Sequence, residues 1–257
     1  MNAPTFTSFI VYLIVMMGIG LFFYYRTKNL SDYILGGRQL NPAVAALSAG
    51  ASDMSGWLLL GLPGALYAGG MKNIWIAIGL SIGAYLNWQF VAKRLRRFTE
   101  IANDSITLPD YLENRFQDST RILRVISAIV ILVFFTIYVS SGLVGGAILF
   151  EKTFGMNYQL ALWVGALVIV AYTFLGGFMA VSLTDFIQGT LMFLALLLVP
   201  MVVINVIGSW DTVVANAAEV DTSYVNAFSG MTFLGIISLM AWGLGYFGQP
   251  HILARFM

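Results

Sequence analysis

Apolar residues in this chain fall in long unbroken runs, separated by short polar connections, rather than at one-face spacing. Crossing the hydrocarbon core of a bilayer takes about 20 mostly apolar residues. Seven stretches meet that length: 6–25, 43–70, 73–92, 121–150, 158–178, 185–207 and 230–254. Several exceed one crossing, which leaves room for a tilt or a break. No base precedes the run from Phe9 to Tyr25, and Arg26 and Lys28 follow it. That order predicts a first membrane span and not a cleaved leader.

Two of the runs are interrupted from within. The 43–70 stretch carries Asp53 in its middle, among Gly50, Ser52, Ser55 and Gly56, with Trp57 next and Pro63-Gly64 beyond. A carboxylate at membrane depth costs roughly 2.5–3.5 kcal/mol and so marks a pathway or a site. Small and hydroxylated neighbours let a helix open and expose carbonyls, which at that depth is tolerated only against protein or a wet cavity. Carbonyls, hydroxyls and a carboxylate together suit a hard cation. The second interrupted run is A-W-G-L-G-Y-F-G-Q-P-H at 241–251, where three glycines and Pro250 break the helical pattern. Paired broken spans in corresponding positions point to the site of an inverted-repeat transporter. Trp57, Trp242 and Tyr246 would offer aromatic walls to an amphiphilic substrate.

Composition agrees: 59% of residues are hydrophobic and 10% charged, against about 25% charged in soluble domains. The predicted fold class is all-α integral membrane. There is no cysteine, so disulfides and thiolate metal sites are excluded, and the single histidine, His251, cannot form a histidine cluster. Charge is segregated by connection. With the seven spans as drawn, eleven of the thirteen bases lie on one side, leaving Lys72 and Lys152 on the other. The basic side is cytoplasmic, so the N-terminus faces out and residue 257 faces the cytoplasm. The 208–229 stretch reads as an acidic outer loop. In the 93–120 connection, Thr107 before Leu108-Pro109, with Asp110 and Glu113 following, predicts a short capped helix.

Other polar residues keep two readings each. Asp53 either contacts or favours a cation, or is a packing carboxylate bonded to hydroxyls. Asp185 follows Ser182 and Thr184, either capping the sixth span or serving ion release. Tyr138, Ser140 and Ser141 pack the core or line a cavity. His251 belongs to the end of the last span rather than to a proton relay.

Certain runs carry a resemblance: D-Y-I-L-G-G-R at 32–38, A-L-S-A-G-A-S-D-M-S-G-W-L-L at 46–59, L-P-G-A at 62–65, I-T-L-P-D-Y at 106–111, F-F-T-I-Y at 134–138 and G-L-G-Y-F-G-Q-P-H-I-L-A-R-F-M at 243–257. Over essentially its whole length the chain resembles the sodium:solute symporter family. The resemblance implies a five-plus-five inverted-repeat transporter fold with one extra N-terminal span. It implies sodium-driven uptake of L-proline across the bilayer, with no nucleic acid and no obligate protein partner. By match to the family, the carbonyls of Ala51 and Met54 would contribute to a sodium site, with Asp53 the carboxylate that sodium-dependent binding needs. Ser55, Gly56, Trp57, Tyr138, Trp242, Tyr246 and Pro250 would form the substrate region. Arg38 and Asp185 match positions tied to coupling and ion release. The family pattern runs on for about six more spans. The resemblance therefore implies a fragment, truncated after the first helix of the second repeat, that lacks the later hydroxyl ligands for sodium.

Two rivals come from other classes. An intramembrane aspartyl protease needs two carboxyls at one depth sharing a proton, whereas Asp53 is mid-span and Asp185 at a span end. A non-transporting sensor on the same fold is the other. Among transporters, another small zwitterion or a carboxylate could replace proline.

Overall fold

The computed structural model describes residues 3–257; Met1 and Asn2, read from sequence as leading into the first span, lie outside the described residues. Every regular element among the described residues is helical. In lipid there is no water to bond the backbone, so a spanning segment must bond within itself or close into a barrel. The elements are α1 (Ala3–Tyr24), α2 (Leu30–Leu35), α3 (Pro42–Asp53), α4 (Leu62–Gly69), α5 (Ile74–Asn87), α6 (Lys93–Ile101), α7 (Leu108–Phe116), α8 (Ile122–Phe154), α9 (Tyr158–Ile207), α10 (Trp210–Val220), α11 (Phe233–Met240) and α12 (Pro250–Leu253). A π-helical turn, Trp88–Ala92, joins α5 to α6, so Met71–Ile101 is one continuous helical rod.

Among the described residues, four helices are long and apolar enough to cross a membrane: Phe6–Tyr24, Met71–Ile101, Ile122–Phe154 and Tyr158–Ile207. Phe233–Gly248 is a shorter apolar helix. At 1.5 Å per residue, the 50 residues of α9 amount to about 75 Å of helix, more than twice a ~30 Å core. It is not one straight rod. Gly177 takes φ 59° and ψ −154°, outside helical space, and breaks it. A Cβ there would fall 2.8 Å from the Tyr33 backbone oxygen, so only glycine lets α2 approach this closely. Just before the break the Tyr33 hydroxyl reaches the main chain of α9. It bonds the Phe174 oxygen at 3.2 Å and the Thr173 oxygen at 3.4 Å.

The chain divides into two compact units. The first comprises Met1–Trp57, Leu95–Gly189 and Pro250–Met257, the second Leu58–Arg94 and Thr190–Gln249. In the first unit α2, α3 and α7 start at side-chain caps. The Asn41 side chain accepts from the Ala43 N–H ahead of Pro42, and the Thr107 hydroxyl accepts from the Asp110 N–H ahead of Leu108-Pro109. The predicted short helix is thus present as α7. It is tied to α8 by Arg124, whose guanidinium lies 3.1 Å from Glu113 and 3.4 Å from Asp110.

The second unit is held together differently. A Cβ on Gly79 would run into the Met240 backbone, and one on Gly83 into the Gly243 backbone. Two glycines four residues apart therefore put α5 main chain to main chain against the 233–248 segment, the close approach that small residues allow between helices in lipid. The buried Asn87 amide adds a 2.9 Å bond to the Tyr246 oxygen. The 208–229 stretch, read from sequence as a loop, contains α10. The Ser209 hydroxyl caps it by accepting from the Thr212 N–H, and Asp211 sits in its first turn, where an acid suits the helix dipole.

Candidate ion and substrate site

The first interrupted run is broken where its polar residues stand. α3 ends at Asp53. Met54 is extended, at φ −68° and ψ 93°, and its N–H folds back to the Ala51 oxygen at 3.1 Å. The helix resumes through a π-helical turn, Trp57–Gly61, before α4. Wide turns of this kind recur at functional sites, where they free backbone groups and re-aim side chains. Gly56 lets α8 come close: a Cβ there would stand 3.0 Å from the Ser141 oxygen.

Around the break the first unit gathers a polar set. The Tyr138 hydroxyl on α8 donates to the Ser52 oxygen at 3.2 Å, and the Ser55 side chain interacts with the same hydroxyl. The Asp53 side chain is 12% exposed, and its Oδ1 lies 3.9 Å from His251 Nε2. The His251 ring stacks on Tyr138, with centroids 5.4 Å apart, and tilts against Phe135 at 5.3 Å. Both its nitrogens are buried without a hydrogen-bond partner. The sequence placed His251 with the end of the last span. The structure sets it beside Asp53, in the first unit with Pro250, which starts α12.

A second polar set lies one turn back along α3. Ser48 and Ser52 hydroxyls donate to Asp185 Oδ2 at 2.7 and 2.8 Å, and the Arg255 guanidinium pairs with that oxygen at 2.8 Å. Asp185 therefore caps nothing. It stands two turns into the helix that resumes after Gly177, and its partners are side chains rather than end-of-helix N–H groups. Arg255 was counted by charge alone as a flanking base. Its partner is 70 residues away in sequence, so no local pattern could reveal the pair.

The predicted residues divide between the two units. Arg38, at φ 58°, bonds Asp104 and donates to the Ser105 oxygen at 2.9 Å, with Glu100 at 3.9 Å. Ala51, Met54, Ser55, Gly56, Trp57, Tyr138 and Pro250 belong to the first unit. Trp242 and Tyr246 belong to the second, on the 3-10 segment Ala241–Gly248, where the second interrupted run loses its α-helical bonding. Trp242 is 49% exposed.

A helix opened at an acidic residue, in a chain of long apolar helices, is a transporter arrangement, and comparison with known proteins decides which. Residues 33–257 match the model of the sodium:solute symporter family. The chain belongs to the sodium:solute symporter family. Family membership makes it a multi-pass membrane protein and sets aside the protease reading. The sodium/proline symporter of Escherichia coli (strain K12) is 56% identical over 256 residues, covering 100% of this chain and 51% of that protein. The high-affinity proline transporter PutP of Bacillus subtilis (strain 168) is 60% identical over 242 residues, covering 94% and 51%. A Staphylococcus aureus (strain JH9) sodium/proline symporter is 50% identical over 257 residues, covering 100% and 50%. The chain spans about half the length of the curated relatives it matches.

Proposed function

We propose that this protein takes up L-proline together with sodium by symport across the plasma membrane. The single observation that carries the reading is the opening of the helix beside a buried acid: α3 stops at Asp53 and the backbone is extended at Met54. Support for sodium and proline in particular comes from relatives at 50–60% identity, which are sodium/proline symporters and a proline transporter.

In this reading sodium, as a transported ion, meets oxygen donors only, which fits a hard cation. The Ala51 oxygen accepts one bond from Met54 and keeps a second lone pair. The Met54 carbonyl and the Asp53 carboxylate complete the donors this chain supplies. Ser55, Gly56, Trp57 and Tyr138, with Pro250, Trp242 and Tyr246, form the proline region, and Arg38 and Asp185 act in coupling or ion release. The architecture is the five-plus-five inverted repeat with one extra N-terminal span, with the N-terminus outside. Sodium binds first and orders the opened segment. By linkage, a sodium ion that tightens proline is itself tightened by proline to the same degree. One positive charge moved inward gains about 2.3 kcal/mol per 100 mV, worth roughly forty-fold accumulation of proline.

Uptake of labelled proline by cells expressing the protein, with sodium exchanged for potassium, tests this. We expect uptake to require sodium and to be competed weakly by other zwitterions and by carboxylates. Asp53→Asn should weaken sodium dependence at least tenfold, by loss of about 1.4 kcal/mol or more. Uptake indifferent to sodium, or an Asp53→Asn protein with unchanged sodium affinity, would refute the assignment.

A further inference from the structure

The Arg255 guanidinium is enclosed by oxygen on several sides. Its Nε donates to Ser48 Oγ at 2.6 Å, its Nη2 to Asp185 Oδ2 at 2.8 Å and also to Ser52 Oγ, and its Nη1 to the His251 oxygen. The Phe178 ring lies under it, with its centroid 5.6 Å from the guanidinium carbon. Side-chain exposure is 5% for Arg255 and 11% for Asp185. Both serine hydroxyls bridge the pair, accepting from Arg255 while donating to Asp185. Three segments of the first unit meet at this cluster: α3, the part of α9 after Gly177, and the turn after α12.

Ser52 links this cluster to the break. Its hydroxyl belongs to the Arg255–Asp185 pair, its carbonyl accepts from Tyr138, and the next residue is Asp53, the last of α3. The end of the broken helix is thus fastened at one residue by its side chain and its main chain. A planar fork that reaches two hydroxyls and a carboxylate at once is a task for arginine and not for lysine, whose ammonium is a point charge.

We propose that Arg255 is a positioning residue: held by Asp185, it fixes Ser52 and thereby the carboxylate of Asp53 at the mouth of the break. The functional consequence rests on the sodium–proline reading above; the positioning does not. Released from Arg255, the last turn of α3 frays, and the ion-facing groups lose their set geometry without any of them being altered.

These 257 residues contain no cysteine, so in a background with any cysteine elsewhere in the full-length protein replaced by serine, a single introduced thiol reports on the break. In full-length protein carrying Ser55→Cys, reaction with a small maleimide is timed in native membranes. Arg255→Met should raise the rate at least about fivefold, and Arg255→Lys less, since it keeps charge and loses the fork. The double variant Arg255→Met/Asp185→Asn removes the unpaired buried charge that would threaten folding, and should still label fast. A control thiol at Ser127 on α8 should be unaffected. Sodium required for half-maximal proline uptake should rise about tenfold in the double variant, the size of one lost charge-assisted hydrogen bond. Unchanged labelling at Ser55→Cys in the double variant, or a parallel rise at Ser127→Cys, overturns the proposal. If labelling responds as expected while wild-type protein shows no sodium-driven proline uptake, the positioning stands and the symport reading falls. The reverse pattern sinks the positioning alone.

Discussion

The two units solve the same problem by different means. Lipid tails are as apolar as leucine, so helices in a bilayer gain little by hiding apolar side chains from one another. The second unit answers with close main-chain contact, Gly79 against Met240 and Gly83 against Gly243. The first answers with polar bonds that cross long stretches of sequence: Ser48, Ser52 and Arg255 on Asp185, Tyr138 on Ser52, Tyr33 on the carbonyls before Gly177. Among the buried polar side chains of the described residues, only Asn87 belongs to the second unit. Contact by glycine makes a fixed joint. Contact by ionisable and hydroxyl groups makes one whose strength depends on charge, and the ion chemistry argued above lies with that second kind of joint.

This contrast can be broken from either side. The largest effect is expected at Gly83→Leu, since a side chain there must displace the Gly243 main chain. Overpacking costs of up to about 3 kcal/mol or more should remove most folded protein, read as the monodisperse yield in detergent. Were Gly83→Leu to melt like wild type, main-chain contact would not be what holds the second unit. Next comes Tyr33→Phe, which leaves the carbonyls at the Gly177 break without their hydroxyl donor. A loss of about 1–2 kcal/mol should show as a lower thermal midpoint. Asn87→Leu should cost less, about 0.6 kcal/mol, typical of one interhelical bond in a membrane. Its amide makes one bond while its oxygen is buried unpartnered, so a large loss would place polar glue in the second unit too.

The smallest effect concerns the start of α8. Asp118 accepts from the Thr120 hydroxyl and from the Leu123 N–H at 2.8 Å, and these bonds hold its carboxyl below the usual range, Thr120 first. A depressed folded-state value stabilises above the unfolded value, about pH 4, and the benefit is lost as pH falls through the folded one. Asp118→Asn should therefore lower the thermal midpoint slightly at pH 7, and the difference should close in acid. A gap that persists below the carboxylate range would mean that Asp118 acts by shape rather than by charge.

The breaks themselves were legible, because they are written locally. Asp-Met-Ser-Gly cannot sit comfortably inside an apolar helix, and α3 does end at Asp53. Gly-Leu-Gly-Tyr-Phe-Gly-Gln-Pro loses regular α bonding at 241–248. The cap at Thr107 was equally plain. The partners of the breaks were not legible. Nothing near Asp185 announces Arg255, and nothing near Asp53 announces His251, since each pairing is made by the fold across long separations. For the same reason the sequence left Asp185 with two readings: a carboxylate after Ser and Thr looks like a cap, and that alternative falls once the start of the helix is placed at Gly177. α10 was missed because its amphipathic run is too short and too polar to read as a span.

Gly56 has a consequence for how such a protein can change over time. Just past the break at Asp53 two main chains come close, Gly56 and the carbonyl of Ser141, with no room for a Cβ between them. Replacing side chains around the break would alter its chemistry while this main-chain spacing stays put. Selectivity could then drift toward other solutes through ordinary substitutions, whereas a methyl group at position 56 would reset the frame for all of them.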